Sequence, residues 1–143
     1  MICLDVNVLV HAHRLDAPDH RDYADLLVRL ANDSEPLGLP DIVLSGFLRV
    51  VTNRRVFKVP TPTRLALESV NRLIDSPAGI LLRSGERHWS TFVALVDALD
   101  ARGNDIPDAY IAAYAVENNA TLLSADRGFA RFERLRWRHP LAD

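Results

Sequence analysis

Three aspartates, far apart along the chain, stand where carboxylates can do chemistry together: Asp5, Asp108 and Asp126. Asp5 ends the apolar run that begins at Ile2. Asp108 falls in the first turn of a small-residue helix after Gly103, and Asp126 follows the apolar run Thr121-Leu122-Leu123. In a parallel sheet, functional groups gather beyond the carboxyl ends of the strands. Asp5 and Asp126 are therefore expected on one edge, with Asp108 at a helix mouth nearby. Carboxylates crowded together repel, and a divalent cation among them relieves the repulsion. Hard oxygen donors without a Cys or His cluster favour Mg²⁺ or Mn²⁺ over Zn²⁺. Such an ion lowers the pKa of a bound water and steadies the charge developing on a phosphodiester, which is metal-assisted hydrolysis. Asn7 is placed to hold Asp5 by hydrogen bond, and Ser124 to orient Asp126 or a metal-bound water.

Each acid also has a plainer use. Asp5 can cap the helix that follows it, Asp105 with Asp108 can cap theirs, and Asp126 can start the turn Arg127 to Phe132. The joint arrangement, more than any one acid, points to a site. The histidines add little. His11 and His13 lie on nearly opposite faces of a helix, and His20, His88 and His139 have no partner at ligand spacing. No Gly-rich phosphate loop is present, and no Ser or Cys nucleophile stands in an elbow.

The elements that must position these residues alternate strand with helix. The run from Ile2 to Asp5 reads as a strand and Val6 to His13 as its transition into a helix. Arg21 to Ala31 carries Tyr23, Leu26, Leu27 and Leu30 at helical spacing. Leu37 to Leu39 fits a brief strand, and Asp41 to Asn53 a helix with Val43, Phe47, Leu48 and Val51 inward. After the rigid Val59-Pro60-Thr61-Pro62, Thr63 is expected to cap a helix to about Asp75. Ile80 to Arg83 reads as a strand, and Ser84 as the cap of a helix from Glu86 to Ala101, with Trp89, Phe92, Val93, Val96 and Leu99 as its stripe and Gly103 as its end. In the helix bearing Asp108, Asp105 is a candidate cap and Pro107 suits the first turn. Ala109 to Val116 is apolar nearly all round, predicting burial against a sheet, and Glu117-Asn118-Asn119 can supply the left-handed residue that stops it. Leu135 to Arg138 alternates like an edge strand. The sum is an α/β sandwich around a small parallel sheet.

At 143 residues the chain fits a single domain, spanning 1–143, that buries roughly two thirds of its unfolded surface. With 48% apolar and 25% charged residues, disordered and fibrous classes are excluded. No apolar run approaches the roughly 20 residues of a membrane helix, and a cytoplasmic location is the expectation. Cys3 is the one cysteine, so no internal disulfide forms. A net charge of −2 argues against nucleic-acid binding by bulk electrostatics. Sixteen of the seventeen basic residues are nevertheless Arg, clustered at Arg49, Arg54 and Arg55 and at Arg127, Arg131, Arg134, Arg136 and Arg138. Arginine grips phosphate bidentately, so these read equally as a solvated face or as a phosphate-binding rim.

The ordered set LDVNVLVHA, FLRVVTNRRVF, IPDAYIAAYAVENNATLLSADRGFARF and LRWRHPL resembles the PIN-domain ribonucleases, specifically the VapC toxins of bacterial toxin–antitoxin pairs. The likeness covers essentially the whole chain. It implies a three-layer α/β/α PIN fold with a small, mainly parallel central sheet and Mg²⁺-dependent cleavage of RNA, with Mn²⁺ a substitute. It also implies homodimers and inhibition by a cognate VapB-type antitoxin. Asp5, Asp108 and Asp126 match the catalytic acids, with Asp5 and Asp108 as metal ligands and Ser124 where Ser or Thr is usual. The chain departs at Gly46, where the family usually has a Glu, and at Gly128, often a further acid. Asp41, five residues from Gly46, points elsewhere on its helix. The missing ligand leaves open one ion or two, and a weakened module that binds RNA or its antitoxin without efficient cleavage. A phosphatase with Asp5 as nucleophile would call for Asp-x-Asp, whereas the third residue is Asn7 and Lys58 is the only lysine.

Overall fold

A computed structural model describes residues 1–142. Five short strands form one sheet: β1 (Ile2–Leu4), β2 (Leu37–Pro40), β3 (Gly79–Leu82), β4 (Thr121–Leu123) and β5 (Arg136–Arg138). The order is β3-β2-β1-β4-β5 and every pairing is parallel. The helices are α1 (Val6–His13), α2 (His20–Ala31), α3 (Asp41–Val51), α4 (Thr63–Ile74), α5 (His88–Leu99) and α6 (Asp105–Glu117).

Side chains alternate across a strand, and the two faces of β1 feed separate cores. Ile2 and Leu4 join residues of α1 to α4, whereas Cys3 joins α5 and α6. Leu123 and Leu122 divide in the same way on β4. This is the three-layer α/β/α arrangement. The alanines at 109, 112, 113 and 115 are fully buried, which lets α6 lie close to the sheet. Asn119 takes the left-handed conformation that ends α6 (φ 51°). Burial pushes the Cys3 thiol up to about 12, so it stays neutral and inert.

Several local expectations give way. Pro62 and Asn104 occupy the cap positions of α4 and α6 without side-chain caps, and Thr63 and Asp105 are the first helical residues. α5 starts at His88 with Arg87, not Ser84, before it, and ends where Asp100 turns left-handed, ahead of Gly103. Its inward face is His88, Phe92, Leu95, Val96 and Leu99, while Trp89 and Val93 are 67% and 45% exposed. A buried histidine won the position that hydropathy gave to tryptophan: His88 packs edge-on against Tyr110 and Tyr114 and bonds through Nε2 to the Tyr110 carbonyl (3.0 Å). α3 stops at Val51, and Leu44 replaces Leu48 among its fully buried residues. Among the described residues, no helix is long and apolar enough to cross a membrane.

Candidate functional site

From β1 the chain builds outward through β2 to β3, then returns to add β4 and β5 on the other side. The reversal falls between β1 and β4. In open parallel sheets the crevice beyond the carboxyl ends at that point is where ligands bind. Leu4 lies opposite Leu123, so the next residue of each strand, Asp5 and Ser124, emerges side by side. Asp5 N donates to the Leu123 carbonyl (3.0 Å) to complete the ladder.

A closed hydrogen-bond network fixes this edge. Ser124 Oγ donates to Asp5 Oδ2 (2.7 Å) and accepts from Asn7 Nδ2 (3.0 Å) and from the amide of Asp126 (3.0 Å). Asn7 Nδ2 also donates to Asp5 Oδ2 (2.8 Å), while Asn7 Oδ1 accepts from Ala125 N (3.1 Å). Val6 N donates to Asp5 Oδ1 (2.7 Å), so Asp5 is both a helix cap and a site residue. Asp126 Oδ1 accepts from Gly128 N (2.8 Å) and caps the short 3₁₀ turn Arg127–Arg131. Trp137 Nε1 donates to the Ser124 carbonyl from β5 (3.0 Å). Ser124 is fully buried. Its hydroxyl therefore holds Asp5 and the Asp126 backbone; it reaches neither the Asp126 carboxylate nor solvent.

The electrostatics tie Asp108 to the same place. Burial pushes Asp108 up to about 6, repulsion from Asp126 adds to it, Arg131 opposes it, and Asp5 and Asp105 contribute further repulsion. Asp5, 6% exposed, is raised by burial against the hydrogen bonds from Ser124 and Val6, with Asp126 again pushing upward. The three acids that the sequence brought into question thus feel one another. They form a loose cluster: among the described residues, no three His, Cys, Asp or Glu side chains stand close enough to share an ion. Asp126 Oδ2 and Asp108 Oδ1 carry no hydrogen bond among the described residues.

Two features escaped the sequence. Arg131 Nη2 lies 3.0 Å from Asp105 Oδ1 and 3.1 Å from Asp108 Oδ2; only the 3₁₀ turn after Asp126 brings it back over α6. The second is the filling of position 46. A Cβ on Gly46 would meet Val6 Cγ2 at 2.9 Å, so any side chain at 46 requires the valine beside Asp5 to shift. Asp41 is turned away as expected, accepting from the Tyr114 hydroxyl (2.7 Å). His11 and His13 go to separate partners, the Pro18 carbonyl and Thr61 Oγ1.

Comparison with known proteins agrees with this architecture. The PIN domain profile matches residues 2–135. VapC ribonuclease Mb2897 of Mycobacterium bovis and ribonuclease VapC43 of Mycobacterium tuberculosis are each 66% identical over 141 residues, covering 99% of this chain and 96% of theirs. Among solved structures, VapBC2 from Rickettsia felis, bound to a promoter DNA fragment, superimposes with a TM-score of 0.73 at 22% identity over 97% of this chain and 98% of that one. With a profile match along nearly all its length and two thirds of its residues shared with such relatives, the chain belongs to the PIN-domain family, in its VapC group.

Proposed function

We propose that this protein is a Mg²⁺-dependent endoribonuclease toxin of a toxin–antitoxin pair, with Mn²⁺ able to substitute. The observation that carries the reading is the mutual repulsion of Asp5, Asp108 and Asp126 near the switch point, with burial holding Asp108 up to about 6. Carboxylates made uncomfortable in this way gain most from a cation. In this reading Asp5 and Asp108 are the ligands, and an ion that keeps most of its water shell suits a pair of carboxylates better than a cage. When bound, Mg²⁺ supplies an acidified water and neutralises charge at the scissile phosphate. The chain's own part is to hold Asp5 rigid through Ser124, Asn7 and the Val6 amide, and to leave Asp126 Oδ2 free to take the proton of the attacking water.

A VapB-type antitoxin is the proposed partner. An apolar groove of about 370 Å³, walled by Leu9, Leu27, Val28, Phe47, Val70 and Leu73, opens between α1, α2, α3 and α4. It suits an amphipathic helix. The exposed Trp89 and Val93 on α5 support a homodimer.

Gly46 supports a second reading, a weakened module that binds RNA without efficient cleavage. The test is cleavage of an RNA oligonucleotide by antitoxin-free protein. Asp108→Asn should abolish Mg²⁺-dependent cleavage with the circular dichroism unchanged, and cleavage that survives rejects the assignment. No turnover by the unaltered protein, even in Mn²⁺, leaves the second reading.

A further inference from the structure

Within the acidic edge stands one cation whose donors are mostly unused. Among the described residues, Arg131 is the only basic side chain in ion-pair contact with the site acids, and it makes both contacts through a single nitrogen, Nη2. Nη1 and Nε have no hydrogen-bond partner among the described residues. The guanidinium also lies 5.2 Å from the centre of the Phe132 ring. It is therefore held on one side by Asp105 and Asp108 and steadied by Phe132, while Nη1 and Nε are left over.

Gly128 lies beside that remaining edge. A Cβ there would come within 3.6 Å of Arg131 Nη1 and 2.9 Å of Asp126 Oδ1. With neither an acid at 128 nor one at 46, the site holds fewer negative groups than the family resemblance leads one to expect, and one fixed positive group. A surface ion pair on its own contributes little. A guanidinium anchored through one nitrogen still presents fixed positive charge and unspent N–H donors, which suit a phosphate oxygen.

We propose that Arg131 is the phosphate-gripping residue of this site: anchored by Asp105 and Asp108 through Nη2, it offers Nη1 to a phosphate oxygen of an RNA strand lying across Asp5, Asp108 and Asp126. This rests on the ribonuclease reading and deepens it. The guanidinium forms and breaks no covalent bond; it supplies fixed positive charge where negative charge grows on the phosphate.

The experiment compares the unaltered protein with Arg131→Gln and Arg131→Lys. Binding of a fluorescent RNA oligonucleotide is measured in EDTA from low to moderate salt, Mn²⁺ binding by calorimetry, and cleavage in Mg²⁺. Each phosphate neutralised on a single strand contributes about 0.7 to the slope of log K against log salt. Arg131→Gln is expected to lower that slope by about 0.7 and cleavage by roughly 100-fold, with Mn²⁺ binding retained. Arg131→Lys keeps the charge and is expected to keep the slope and most of the cleavage. An unchanged slope in Arg131→Gln, or a loss of cleavage explained by lost Mn²⁺ binding, overturns the proposal and makes Arg131 a support for Asp108. Should Arg131→Gln fail to fold, Arg131→Met takes its place in the same assays, and an unchanged slope there overturns the proposal. Failure of the unaltered protein to cut any RNA sinks the ribonuclease reading instead, and the salt slope still reports on Arg131.

Discussion

Replacing Asp108 by asparagine should make the metal-free protein more stable at neutral pH while removing its activity. The folded chain raises this carboxyl from its ordinary value near 3.8 to about 6. A raised acid pKa means that the folded state binds the proton more tightly than the unfolded one. Stability therefore falls as pH climbs from about 4 to 6, and the full penalty stands above 6. Two pK units correspond to roughly 3 kcal/mol at most. With 26% of the side chain exposed, solvent screening brings that to about 1–2 kcal/mol, and the lost pairing with Arg131 takes back less than about 1 kcal/mol. Asp108→Asn should gain about 1 kcal/mol at pH 8, or roughly 2–4 °C in Tm, and nothing below pH 4. Urea unfolding of both chains in EDTA, from pH 4 to 8, isolates the effect because other titrating groups cancel in the difference. A difference that stays flat with pH, or an asparagine variant less stable at pH 8, would refute the placement of Asp108 in a repelling cluster.

Ser124→Ala removes three bonds from a fully buried hub and leaves Asn7 Nδ2 and the Asp126 amide short of an acceptor; unfolding should show a loss of about 1–3 kcal/mol, and cleavage should fall because Asp5 is freed to move. Adding Mn²⁺ above pH 6 should raise the Tm of the unaltered protein and leave that of Asp108→Asn nearly unmoved, as read by thermal melts. Val28 is 63% exposed at the rim of the apolar groove, so Val28→Asp should leave stability within about 0.5 kcal/mol while weakening antitoxin binding at least 10-fold by calorimetry; equal binding would move the partner to another face.

Most of the scaffold was legible because parallel strands buried on both faces read as apolar runs, and Ile2–Leu4, Leu37–Pro40 and Thr121–Leu123 are such runs. The acids were legible because each sits directly after a strand or in a first helical turn. What failed has a common cause. Hydropathy phases α5 on Trp89, but the edge-on packing of His88 against Tyr110 and Tyr114 and its bond to the Tyr110 carbonyl outweigh the burial of Trp89. The caps at Thr63, Ser84 and Asp105 follow residue type, whereas the chain enters α4 and α6 through Pro62 and Asn104 without needing a side-chain acceptor. Arg131 reaches Asp105 and Asp108 across a register that only the folded turn defines.

Position 46 shows why a missing ligand is not a simple vacancy to refill. Replacing a helical glycine by another residue ordinarily gains up to about 1 kcal/mol, yet here the new Cβ would stand 2.9 Å from Val6 Cγ2, a contact that forces the valine aside. Val6 is fixed next to Asp5, and its own amide holds Asp5 Oδ1, so displacing it disturbs the carboxylate that a glutamate would be meant to assist. Overpacking of this kind costs about 1–3 kcal/mol. Gly46→Glu alone should therefore be destabilised and no more active than the unaltered protein, whereas Val6→Ala with Gly46→Glu should recover stability, giving a coupling of at least about 0.5 kcal/mol in a double-mutant cycle. If the two changes prove additive, Val6 and Gly46 are not a matched pair, and the absence of the acid at 46 has some cause other than the side chain that fills its place.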